Sequence, residues 1–150
     1  MFIKAVFFSL LIFIFPFVSF SQEDTDIFPP NAIINASYVG DEKTVRELLA
    51  AGVDKDVRDA LGATALHVAT MHKNLIIIKL LLDNGFNPNI RAEKNGNTPL
   101  HYAVAANNTG AVQLLLQYHA NKNLRNLEGL TPLEKARREG KDEIARLLLR

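Results

Sequence analysis

The apolar residues of the chain follow two patterns. From Ala5 to Val18 they run almost unbroken, interrupted only by Ser9 and Pro16. From about residue 31 they come in short bursts, at the three- and four-residue spacing of helices with one buried face. The bursts alternate in kind. One carries leucine and alanine three apart, as in Leu66 with Ala69 and Leu100 with Ala103. The other carries a leucine triplet: Leu80-Leu81-Leu82, Leu114-Leu115-Leu116 or Leu147-Leu148-Leu149. Each triplet begins 16 residues after a threonine, Thr64, Thr98 or Thr131. The pattern predicts paired helices throughout the body of the chain.

The pairs recur at a fixed period. Gly62-Ala63-Thr64-Ala65-Leu66-His67-Val68-Ala69 aligns with Gly96-Asn97-Thr98-Pro99-Leu100-His101-Tyr102-Ala103, and both align with Gly129-Leu130-Thr131-Pro132-Leu133-Glu134-Lys135-Ala136. The threonines are 34 and 33 residues apart. A degenerate earlier copy places Ala36, Gly40, Val45, Leu48, Leu49 and Gly52 at matching offsets. Such a period signals a solenoid, in which each unit buries its apolar face against its neighbours. Leu100 is therefore expected to be buried between repeats.

The helix ends can be read from the same alignment. Thr64, Thr98 and Thr131 suit N-caps, because their hydroxyls can accept from orphan backbone N–H groups. Pro99 and Pro132 follow where the missing N–H costs nothing. Thr131 and Glu134 form a capping-box pattern. First helices of about nine residues should end near Gly40, Lys73, Asn107 and Gly140, in a left-handed turn that suits Gly and Asn and suits Lys poorly. Asp41-Glu42 and Asp142-Glu143 then open second helices at the end that favours negative charge. These helices carry Ile77, Ile78, Leu81, Val112 and Leu115 and should close at Gly52, Gly85 and His119.

The motifs Thr98-Pro99-Leu100-His101-Tyr102-Ala103, Thr64-Ala65-Leu66-His67-Val68-Ala69 and Leu81-Leu82-Asp83-Asn84-Gly85-Phe86-Asn87-Pro88-Asn89 resemble the ankyrin repeat family, as does Asn123, which matches Asn89. The resemblance covers residues 27–150. It implies an all-α solenoid of about four helix pairs, hairpin loops projecting to one side, and a concave surface that binds a partner protein. The repeats fall at about 31–58, 59–92, 93–125 and 126–150, after a linker over 22–30. The resemblance further implies that His67 and His101 are structural, bridging backbone groups between repeats. Three departures stand out: one extra residue within Ile90–Asn95, His119 in place of a helix-ending glycine, and Glu134 in place of a histidine. Polar Arg137, Arg138, Glu139, Lys141 and Arg146 suit a solvent-facing cap, which solenoids need for solubility.

Composition adds the compartment. Seven of nine phenylalanines lie in the first 20 residues, behind Lys4, and Ser19-Phe20-Ser21 places small residues where a signal peptidase reads. Residues 1–21 therefore read as a signal peptide and the product as exported, periplasmic or secreted. The alternative is an uncleaved leader tethering an accessory or inhibitory subunit. The 16 residues from Ala5 to Phe20 fall short of the roughly 20 a membrane span needs. Without Lys4 the body balances 16 basic against 16 acidic residues, which gives no support to nucleic-acid or polybasic membrane binding. With no cysteine, disulfides and thiolate metal sites are excluded. The histidines lack metal-ligand spacing. No nucleophile, base and acid converge, and no phosphate loop or other cofactor motif appears. A monomeric, non-catalytic protein-binding module without metal or cofactor is expected.

Its partner-facing residues follow from position. Met71 and His72, Ala105 and Ala106, then Arg138 and Glu139 lie seven and eight residues after the repeat threonines. Leu61, Ala63, Lys94, Asn95 and Asn97 join them from the hairpins, and Tyr118 by analogy with Asn84. Met71 could equally pack on its neighbour, since methionine serves both uses. Arg58, Arg91 and Arg125 recur at one hairpin position and predict a ladder with a pitch of about 8–10 Å. The ladder either meets an acidic strip on a partner or dissolves into local pairs such as Arg58 with Asp59.

Overall fold

A computed structural model describes residues 29–150. The 1–21 leader and most of the 22–30 linker lie outside the described residues. Eight helices follow in order: α1 (Ala32–Val39), α2 (Glu42–Ala50), α3 (Ala65–Met71), α4 (Leu75–Asp83), α5 (Pro99–Ala105), α6 (Thr109–Gln117), α7 (Pro132–Arg138) and α8 (Asp142–Leu149). No strand occurs among the described residues. The first helices α1, α3, α5 and α7 stack on one another, α2, α4, α6 and α8 form a second layer, and each pair also packs internally. The chain is an all-helical helix-pair solenoid.

Burial follows the repeat. Leu66, Leu100, Ile77, Ile78, Leu81, Leu115, Ile144 and Leu148 are almost fully enclosed. Ala69, Ala103 and Ala136 are buried on the first helices, where a methyl group lets adjacent helices approach closely. Those helices have seven or eight residues, slightly fewer than the spacing predicts.

The end signals hold in most places. Gly40, Asn107 and Gly140 are left-handed, with φ of 78, 52 and 67°. Lys73 is not. Helix α3 ends at His72 in an extended conformation (φ −100°, ψ 155°), which avoids the Cβ clash a lysine would meet in the left-handed region. His119 does adopt that region at φ 61°. The backbone bonds from His119 N to Leu116 O (3.1 Å) and from Ala120 N to Leu115 O (3.0 Å) complete a Schellman ending that Gly85 and Phe86 make one repeat earlier. The hydrogen bonds outweigh the poorer residue.

The hairpins are closed by side chains. Asp59 Oδ1 accepts from the N–H groups of Leu61 and Ala63, and Asn126 Oδ1 accepts from Glu128 and Leu130. The matching residue in the third repeat, Ala92, has no acceptor. The extra residue predicted within Ile90–Asn95 supplies the substitute, because Asn95 Oδ1 accepts from Asn97 N–H at 2.9 Å. Successive hairpins also bond directly, Glu93 N to Gly62 O at 3.2 Å and Leu127 N to Asn95 O at 2.9 Å. Gly62 is required there. A Cβ on it would lie 2.4 Å from Glu93 Cβ, and its φ is +72°.

Leu100, 1% exposed, tests the stack. Leu100→Ala should destabilise by about 2–5 kcal/mol, as buried leucine truncations do. Urea unfolding monitored by circular dichroism measures this directly, and an unmoved midpoint would refute the register.

Candidate functional site

The repeat histidines are enclosed, each between two backbone groups. His67 Nδ1 accepts from Thr64 N–H at 3.1 Å, and its Nε2 faces Asn97 O at 3.0 Å. His101 repeats this with Thr98 N–H at 3.2 Å and Leu130 O at 2.9 Å. A carbonyl can only accept, so Nε2 carries the proton and the ring is neutral. Burial depresses His67 to about 4, against a weaker opposing effect of the Asn97 carbonyl. His101 is lowered for the same first reason. Both are inter-repeat bridges, as the resemblance implies. Glu134 keeps half of the role: it accepts from Thr131 N–H at 2.7 Å, which with the Thr131 hydroxyl holds its carboxyl below the usual range.

The arginines do form a ladder, directed inward. Arg58 Nη1 donates to Gly62 O at 2.8 Å and to Arg91 O at 3.0 Å. Arg91 donates through Nε to Gly96 O at 3.3 Å and through Nη2 to Arg125 O. Arg125 donates to Gly129 O and pairs with Glu134 at 2.8 Å. Each guanidinium holds its own hairpin, and the first two also hold the next arginine's carbonyl. The local pair expected between Arg58 and Asp59 is absent. Asp59 is occupied by backbone N–H groups, and Arg58 lies instead 3.4 Å from Glu93.

A further inter-repeat bridge was not anticipated. Buried Asn108 caps α6 through Oδ1 to Ala111 N–H (3.0 Å), while its Nδ2 donates to Thr70 O and His72 O at 3.1 and 2.6 Å. Its offset, equivalent to N-caps Asp41 and Asn74, was the available signal.

The residues expected to face a partner divide. Met71 is 50% exposed. His72 is half-buried, its ring edge-on to Tyr38 at 5.1 Å. Ala105 is exposed and Ala106 half-buried. Exposed Arg138 pairs with Glu128 at 2.6 Å, and exposed Glu139 with Lys135 at 2.7 Å. On the hairpins Leu61 and Lys94 are exposed, and Asn95 is half-buried with Nδ2 near Tyr102 Oη at 3.5 Å. Asn97 belongs to the scaffold, since its carbonyl meets His67 and its Oδ1 accepts from Asn126 at 2.8 Å.

Two expectations are corrected. Ala63 is 1% exposed, because its N–H and carbonyl close the hairpin on Asp59 and draw its side chain inward. Tyr118 belongs to the second-helix layer. Its hydroxyl donates to Asp83 and accepts from Lys79 at 3.2 Å, tying α6 to α4. Conversely, sequence reasoning missed Tyr38, Val39 and Leu127, exposed by 59, 73 and 68%. Tyr38 and Val39 occupy the Met71 and His72 positions of the degenerate first repeat. Counting from Ala36, as from Ala69, would have found them.

The large exposed apolar residues thus gather mainly along the first-helix ends and hairpin tips. A groove of about 280 Å³ lies on the second-helix layer, lined in part by Leu75, Ile76 and Leu114.

A family model described as ankyrin repeats (3 copies) matches residues 9–92, 32–126 and 91–150. The chain belongs to the ankyrin repeat family. It is 43% identical over 86 residues to an E3 ubiquitin-protein ligase, KEG, of Arabidopsis thaliana, covering 57% of this chain and 5% of that protein. It is 42% identical over 94 residues to an ankyrin repeat protein of fowlpox virus, covering 61% of this chain and 28% of the relative. With the mitochondrial disaggregase of Bos taurus it shares 32% identity, over 78% of this chain and 22% of the relative. The chain therefore spans only a small part of each of these relatives. Ankyrin repeats generally act as non-catalytic modules that bind protein partners, although some relatives join them to enzymes.

The bridges yield two predictions. His67 binds its proton less readily folded than unfolded, so stability is full above the ordinary value near 6.5 and falls as pH drops toward 4. Between pH 6.5 and 5, above most carboxylate titrations, His67 should account for a loss of about 2 kcal/mol. Urea midpoints across that window, compared with His67→Asn, measure the difference. Arg91→Ala should cost about 1–2 kcal/mol by stranding the carbonyls of Gly96 and Arg125. An unchanged thermal midpoint would mean that this arginine serves only the surface.

Proposed function

We propose that this chain is a monomeric, non-catalytic binding module that captures a protein partner along its first-helix ends and hairpin tips. The observation that carries the reading is the exposure of Tyr38, Val39, Met71, Leu61 and Leu127 on those elements. Exposed apolar residues gathered on one side mark association surfaces more reliably than scattered ones. The arginine ladder supports the scaffold in this reading, because its donors already meet backbone carbonyls. The module works outside the cytoplasm. That part rests on the Lys4, Ala5–Val18 and Ser19-Phe20-Ser21 pattern, which has the anatomy of a cleavable leader.

The test is site-specific photo-crosslinking at Met71 or Leu127, with Ile76 as the second-layer control, in cells producing the full chain. A stoichiometric protein adduct at the first two positions and none at Ile76 is expected. Adducts at Ile76 alone would reject this surface. N-terminal sequencing of the same exported sample should begin at or near Gln22, whereas intact Met1 in the membrane fraction would favour a tethered subunit.

A further inference from the structure

The joints between repeats are unequal. The second and third helix pairs are tied by His67 to Asn97 O, by Asn108 to Thr70 O and His72 O, and by Glu93 N to Gly62 O. The third and fourth are tied by His101 to Leu130 O, by Asn126 to Asn97, and by Leu127 N to Asn95 O. The first joint has none of these. Ile34, buried, stands where His67 and His101 stand in the next two repeats. Asn74, which matches Asn108, accepts from Ile76 N–H and reaches no other repeat. Among the described residues, α1 and α2 make no hydrogen bond or ion pair with any residue beyond Val53. A trace of the missing bridge remains. Ala63 O accepts from Asp59 N–H, as Asn97 O and Leu130 O accept from Ala92 and Asn126, but it lacks the imidazole that is their second donor.

The same joint holds two stranded polar atoms. Ser37 Oγ on α1 and His72 Nε2 at the end of α3 are buried without a hydrogen bond, and the His72 ring meets Tyr38 of α1 edge-on. Closure of this joint therefore rests on apolar side chains such as Ile33, Ile34, Val45 and Leu48, and works against the desolvation of unsatisfied groups. We infer that α1 and α2 form a cap that opens from the stack as one unit, and that a bound partner latches it shut. Sub-global opening falls where buried links are fewest, and here that is the first joint. The latching half rests on the binding surface proposed above, because that surface straddles the joint. Tyr38 and Val39 move with the cap, whereas Met71 stays with the stack. A partner that covers both sides engages the closed form, and by that preference shifts the cap toward closure.

Native-state hydrogen exchange of the full chain in low urea, read amide by amide, tests the opening. The amides of α1 and α2 should exchange together, with one shared urea dependence, while those of α5 and α6 remain protected. The double variant Ser37→Ala/His72→Phe, which removes both stranded atoms, should slow exchange in α1 and α2 about ten-fold and leave α5 and α6 unchanged. Exchange graded residue by residue from Ala32 inward, as simple fraying gives, would overturn the cap. So would opening of α7 and α8 first, or a double variant that exchanges like the parent. Latching is read from photo-crosslinking at Met71. Leu48→Ala, which weakens the cap, should lower the adduct yield there several-fold, and an unchanged yield would detach the cap from binding. No adduct at any position would reject the binding surface and with it the latch, while the exchange pattern would still decide the opening.

Discussion

A neutral imidazole held between two backbone groups joins the middle repeats. Each ring accepts from the N–H of the threonine that opens its own helix and donates to a carbonyl of the following hairpin. The second bond could not form in an isolated repeat, and the first does not survive protonation of the acceptor nitrogen. The apolar packing obeys the same condition: Leu66 and Leu100 are enclosed because first helices stack on each other. Local structure and inter-repeat contact are therefore one event, as expected for a solenoid.

The arginines, Asn108 and the hairpin-to-hairpin backbone bonds extend this principle across the thickness of the stack. Arg58 and Arg91 act at the hairpin edge, the histidines at the base of the first helices, and Asn108 where the second layer begins. Tyr118 with Asp83 and Lys79 closes the far side. Each level thus has its own polar link, while the core between them is almost wholly apolar. The exposed apolar side chains at the first-helix ends take no part in these polar links. That is why Tyr38, Val39 and Met71 can remain uncovered on a well-packed scaffold.

Much of the fold was legible because period, caps and apolar spacing agreed. Thr131 with Glu134, the prolines behind Thr98 and Thr131, and the glycine turns all state the same boundaries independently. Lys73 shows where the alignment misled: an equivalent position need not keep an equivalent backbone when its residue resists the left-handed region. The surface was harder to read. Ala63 and Tyr118 occupy repeat positions whose exposure depends on which neighbour covers them, and offset alone does not reveal that. The inward turn of the arginines was equally hidden, since a guanidinium at a hairpin looks the same in sequence whether it faces solvent or the next carbonyl.

The acceptors of these bridges carry a further consequence. Asn97, Leu130, Arg91 and Arg125 receive the histidine and arginine bonds through main-chain oxygens, a group that every amino acid possesses. The identity of the accepting residue is free to drift while the joint remains. A duplicated unit placed anywhere in the array would find its acceptor ready-made, whatever side chain stood there. Lineage growth by copying and later divergence of the exposed positions can thus proceed separately, the first governed by backbone geometry and the second by whatever the surface must recognise.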